Sequence, residues 1–143
     1  MTVQKLFKIP ATQDEWTVLY CRVMALFALQ GLIILAIYGL RGFGVSPDDL
    51  PPGLRLDPMH GVIHLATGLA GAYFGFFAPA GSLRFLKGFT VFYLLLAVLG
   101  TFTEAHFGMQ LELEENALHW PLSLAAGVIV FAPSILVRKA RPA

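Results

Sequence analysis

The sequence predicts an all-α bundle of four membrane-spanning helices, built as two helical hairpins in weak parallel repeat. Three observations carry that expectation. Of 143 residues, 57% are hydrophobic and only 13% are charged, about half the charge usual in a soluble domain. The apolar residues fall into four runs, at about 18–40, 59–78, 83–103 and 118–137, each near the roughly 20 residues that a hydrocarbon core takes as helix. The runs are continuously apolar, whereas barrel strands alternate over about ten residues. Backbone amides in lipid must also be paired within the segment or a closed barrel, which leaves helix. One integral membrane domain over residues 1–143 is expected.

Each element has readable boundaries. "TQDE", Thr12 to Glu15, matches a capping box ahead of the first span, with hydroxyl and carboxylate satisfying free N–H groups at a helix start. Trp16 would then lie at the interface, and Arg22 would snorkel back towards it. The first run is too long for a cleaved signal peptide and lacks a small-residue cleavage site, so it is read as retained. Gly42 to Pro58 form a loop rich in proline and acid, ending in Asp57-Pro58, an N-cap with proline at the first helical position. "APAGS", Ala78 to Ser82, is a tight turn between the second and third spans. Gln30, polar and halfway along the first span, is expected to hydrogen-bond a neighbouring helix. Cys21 is the only cysteine, so there is no internal disulfide.

Charge sets the orientation. Lys5, Lys8, Arg22, Arg84, Lys87, Arg138, Lys139 and Arg141 fall on one side, and Arg41 and Arg55 on the other. The positive-inside rule then makes both termini cytoplasmic, in a bacterial inner membrane. Asp48, Asp49, Asp57, Glu104, Glu112, Glu114 and Glu115 lie on the opposite face, together with His60, His64, His106 and His119. The net charge of +1 leaves no basic face for nucleic acid.

The two halves echo each other. "LDPMHGVIHLATGLAG" opens the second span and "LELEENALHWPLSLAAG" leads into the fourth. His64 aligns with His119, His60 with Glu115 and Gly68 with Ser123, while Phe43-Gly44 and Phe107-Gly108 follow the first and third spans. Paired hairpins would bring His64 and His119 to equivalent depths. The H-x3-H-x3-G-x2-G start of the second span and the EN-x2-H-x7-G of the fourth resemble a family of small bacterial four-helix membrane proteins, known only as a domain of unknown function. The resemblance covers residues 18–137 and implies the fold without an activity. Trp120-Pro121 stands where a leucine-like run belongs, which is expected to bend or loosen the helix.

The helix faces supply the candidate site. At 100° per residue His60, Gly61, His64, Gly68, Gly71 and Gly75 share one face. Tyr93, Ala97, Gly100 and Glu104 line the third helix, and Glu115, His119, Ser123, Ala126 and Val130 the fourth. The glycines serve close helix packing or, on the sharper alternative, clear space for a haem or chlorophyll-type pigment held by His64 or His119. His60 and His64, one turn apart, could share an ion. With His119 and Glu115 or Glu104 they would form a mixed nitrogen–oxygen site suited to zinc, iron or copper. Against this, His60 and His106 read as headgroup-level side chains. His64 and His119 lie deeper, where a partner is required, with Glu104 the expected one.

No P-loop, dinucleotide fingerprint, nucleophile elbow or CxxC is present. The expected function is therefore a non-enzymatic accessory or structural subunit, meeting lipid and other subunits of a larger membrane complex. The alternative is a haem-, pigment- or metal-binding protein with a His/Glu site near the extracytoplasmic face. A transporter ranks third, since no ionisable residue falls at mid-bilayer depth.

Overall fold

The computed structural model of the chain describes residues 9–41, 44, 57–103, 105–106, 109–110 and 113–136; for 105–106, 109–110 and 113–115 it describes the backbone alone. The architecture is all-α. The first helix, α1 (Gln13–Met24), begins five residues before the expected span, at the capping box itself. Thr12 Oγ1 accepts from the Glu15 amide at 3.2 Å, and the Glu15 carboxylate accepts from the Thr12 amide at 3.3 Å and the Ala11 amide at 2.6 Å. The first span is not a single regular helix: it breaks at Ala25 and resumes as α2 (Leu26–Gly39).

Asp57 caps α3 (Pro58–Ala72), with Pro58 in the first turn as the sequence predicts. This helix continues into a wider π turn, Tyr73–Phe77, before a 3-10 turn at Pro79–Gly81 leads into α4 (Ser82–Phe102). A two-residue antiparallel pair, Ala105–His106 against Met109–Gln110, precedes α5 (Leu113–Phe131). That last helix starts earlier than expected and runs unbroken through Pro121. It stops at Phe131 instead of Val137, because Pro133 disfavours helix at the residue before it and removes an amide donor.

Two helical stretches, Gln13–Gly39 and Pro79–Phe102, are long and apolar enough to cross a membrane, and Asn116–Phe131 is a shorter apolar helix. The helices pair as expected, α2 along α3 and α4 along α5, with α1 bridging the pairs. The shared core holds Met24, Leu86, Phe89, Tyr93, Ala126, Ile129 and Val130, with Trp16 and Tyr20 packed on it. Cys21 is fully buried beside it, at 0% exposure.

Glycine makes the first pair close. A Cβ on Gly31 would meet the backbone of Gly61 and Leu65, and one on Gly68 would meet the backbone of Ala28 and Phe27. Backbones this near gain dispersion contacts along their length, the main source of helix association where lipid is as apolar as leucine. Polar bonds tie α1 to the second pair: Tyr20 donates to Leu122 O at 2.7 Å, and Gln13 Nε2 donates to Ile129 O and Val130 O at 2.9 and 3.1 Å. Arg22 Nε donates to Gly75 O in the π turn at 2.9 Å, and its guanidinium lies 5.3 Å from the Phe76 ring centre.

Candidate metal centre

The site starts from a helix cap. Asp57 Oδ1 accepts from the His60 amide at 2.9 Å, satisfying one of the donors that every helix start leaves free. This fixes the first turn of α3 and, with it, the direction of His60. His64 follows four residues later on the same face. The second helix pair supplies His119 from α5. One ring nitrogen from each of His60, His64 and His119 lies within 4.8 Å of the others, and all three residues are buried, at 2%, 5% and 2% exposure.

The rings are packed edge and face. His60 stacks on His119, with centroids 5.5 Å apart and planes 17° apart, and meets His64 edge-on at 4.9 Å. Phe27 stacks on the far side of His64 at 4.9 Å, and Tyr93 presents its edge to His119 at 5.6 Å. Tyr93 is itself held by a 3.1 Å hydrogen bond between its hydroxyl and that of Thr67. The cluster thus has aromatic walls on two sides.

The remaining nitrogens distinguish the three rings. His64 Nδ1 bonds Gln30 Oε1 at 3.1 Å. An amide oxygen only accepts, so Nδ1 carries the proton and Nε2 keeps its lone pair. His60 Nδ1 lies 3.7 Å from Asp57 Oδ2. His119 Nδ1 is buried with no hydrogen-bond partner, a state that costs about 1–3 kcal/mol for a polar group. Metal-bound histidines commonly use one nitrogen on the ion and anchor the other to an amide or carboxylate. His64 follows that pattern through Gln30, and His60 Nδ1 faces the Asp57 carboxylate across 3.7 Å.

His60, expected at headgroup level, is as buried in the bundle as His119 and is central to the cluster. Gln30 is the hydrogen-bond partner that the described residues show for His64. Glu104 and the side chains of Glu115 and His106 lie outside the described residues. The sequence flagged Gln30 as polar at depth without giving its partner. It did not single out Phe27 or Asn116, which is 2% exposed and donates from Nδ2 to Ala97 O at 3.0 Å and Thr101 Oγ1 at 3.2 Å. The small-residue face of α5 is where expected, with His119, Ser123, Ala126 and Val130 all buried.

The glycine face of α3 is filled by protein. Besides Gly61 and Gly68, a Cβ on Gly71 would approach Cys21 O to 2.9 Å, and one on Gly75 would approach Arg22 N to 2.9 Å. Helix backbone therefore occupies the space that a flat tetrapyrrole would need along this face. The histidine cluster is suited to a smaller guest. Three donors around one ion at 2.0–2.1 Å lie about 3.4 Å apart, inside the 4.8 Å limit within which the three histidine nitrogens gather.

No protein-family model, curated protein or solved structure matches the chain. The site is accordingly read from its own geometry.

Proposed function

We propose that the protein is a four-span, non-enzymatic membrane subunit that holds one transition-metal ion between its two hairpins, on the extracytoplasmic side. The observation that carries this is the convergence of three buried histidine nitrogens within 4.8 Å. A purely structural subunit has no need to collect three imidazoles from two helix pairs, nor to leave the buried Nδ1 of His119 without a hydrogen-bond partner. A bound ion explains both the convergence and the anchoring of His64 through Gln30.

Membrane placement is supported by large apolar side chains that the bundle leaves outside: Leu26, Leu29, Leu69, Phe77, Val91 and Phe131 are more than half exposed. Such faces suit lipid and neighbouring subunits and would be a liability in water. The segregation of lysine and arginine supports cytoplasmic termini, which puts the start of α3, and so the site, outside.

The test is metal content. Full-length protein purified in detergent from metal-supplemented cells should carry one ion per chain by elemental analysis. His64→Ala and His119→Ala should lose it while keeping the helical circular dichroism of the wild type. Wild-type protein that carries no ion, and takes up none on titration with copper, zinc or iron, would overturn the proposal.

A further inference from the structure

Resting on the membrane placement above, and independent of the metal, we infer that the groove between α1 and the turn at Tyr73–Phe77 binds one phospholipid with a phosphoethanolamine headgroup. The groove has a volume of about 980 Å³, at the upper end of the roughly 300–1,000 Å³ of small-molecule pockets. Val18, Leu19 and Val23 of α1 and Leu26 of α2 form one wall, and Phe76 and Leu83 face them. Val23, Leu26 and Phe76 are each more than half exposed, so the groove is open along its apolar side. In a bilayer that side meets hydrocarbon, and an acyl chain is the guest that such walls take.

Arg22 supplies the charge within this apolar lining. Its Nε donates to Gly75 O at 2.9 Å, and its guanidinium lies 5.3 Å from the Phe76 ring centre. Gly75 O is among the last carbonyls of its turn, which a helix end leaves without amide partners. Cation–π attraction adds to the bond, so the guanidinium is held in place beside the groove. The bond uses Nε and spares the edge formed by the two terminal amino groups. That edge matches two oxygens of a phosphate.

The order of charges along α1 selects the headgroup. Asp14 lines the same groove, two turns before Arg22 and so about 12 Å from it along the axis. It is an exposed residue, whereas the neighbouring Glu15 carboxylate accepts from the Ala11 and Thr12 amides. From the start of α1 inward the groove thus offers an acid, a base and an apolar wall. A phosphoethanolamine lipid has the complementary order, with its ammonium outermost, its phosphate beneath and its chains below. A glycerol headgroup brings no cation to Asp14, and a choline headgroup brings one without N–H donors for a charge-assisted hydrogen bond.

The experiment counts lipid by native mass spectrometry on delipidated, full-length protein in detergent. Dioleoyl phosphatidylethanolamine, phosphatidylglycerol and phosphatidylcholine are added separately at equal concentration. One phosphatidylethanolamine per chain is expected, bound about threefold more tightly than either of the others, as one solvent-facing ion pair allows. Arg22→Gln should weaken it by about 10-fold, the worth of a hydrogen bond to a charged group. Asp14→Asn should erase the preference for ethanolamine over choline while keeping the helical circular dichroism of the wild type, and it decides the matter alone if Arg22→Gln does not fold. Retention of no lipid, equal retention of all three, unchanged affinity in folded Arg22→Gln, or a preference that survives in Asp14→Asn overturns the inference and leaves the membrane placement intact. A chain that stays dispersed in water without detergent and retains none of the lipids overturns that placement and this inference with it.

Discussion

The imidazoles of His60 and His119 lie face to face across the junction of the two helix pairs, 5.5 Å between centres and 17° from parallel. Each belongs to a different pair, so an ion shared by them joins α3 to α5 directly. In the metal-free chain that junction rests on ring stacking, on the Thr67–Tyr93 hydroxyl bond and on the bonds from α1. Metal should therefore raise the stability of the whole bundle. At 100 times the dissociation constant the gain is about 2.7 kcal/mol, read as a higher melting temperature in detergent. His119→Ala should melt at the same temperature with and without metal, and a metal-induced rise surviving in that variant would disprove the cross-link.

Gln30 reaches the ion only through His64, so its role is to orient. Replacing it by leucine frees the ring to rotate and to exchange its proton between nitrogens. Outer partners of metal-bound histidines are worth 10- to 100-fold in affinity, and Gln30→Leu should weaken metal binding by about that factor. In the metal-free protein the change should cost only about 0.6 kcal/mol, the mean for such bonds between membrane helices. Equal affinity in wild type and variant would remove Gln30 from the site.

Close approach of α2 and α3 depends on Gly68, whose missing Cβ leaves room for the backbone of Ala28 and Phe27. Gly68→Leu should force the pair apart and destabilise the bundle by about 1–3 kcal/mol. Because His64 is one turn away on the same face, metal affinity should fall too. Unfolding in a graded detergent series gives the first quantity, and a chelator competition gives the second.

The Tyr20 hydroxyl donates to Leu122 O at 2.7 Å, linking α1 to α5 on the turn after Pro121. Tyr20→Phe removes that bond and keeps the ring packed on Phe89, its edge-to-face neighbour at 5.7 Å. A loss of about 0.6–1.7 kcal/mol is expected, with metal affinity unchanged because neither partner of this bond is a histidine of the cluster and the Tyr20 ring stays packed.

Orientation has its own check. If four spans cross the membrane with both ends inside, a reporter active only in the periplasm should be silent when fused after Ala143 and active when inserted in the 45–56 segment. The opposite pattern would place the histidines on the cytoplasmic side.

Helix identity and pairing are legible because long helices announce themselves as apolar runs, and the capping chemistry at Thr12–Glu15 and Asp57-Pro58 is local. Boundaries lie several residues from the ends of the apolar runs where local chemistry cuts the helix short, as Pro133 does after α5. Within the site, His60 and His64 were linked by spacing alone, and His119 was joined to them by the internal echo. Gln30, Phe27 and Tyr93 meet the histidines only through helix pairing. No short-range pattern says which residue of α2 faces which of α3, so the bond between Gln30 and His64 is not legible in the sequence. The burial of His60 is not legible for a related reason: a position in the first turn says how far along the axis a side chain lies, not whether a neighbouring helix covers it.

The lone thiol of Cys21 has a practical consequence. With no exposed surface in the folded bundle, it is sealed from alkylating reagents and from acyl donors while the helices stay packed. Fatty acylation there would require the fold to open first. Single cysteines introduced elsewhere can then carry spin labels or fluorophores without mutating the native sulfur, and delayed modification of Cys21 itself becomes a clock for unfolding.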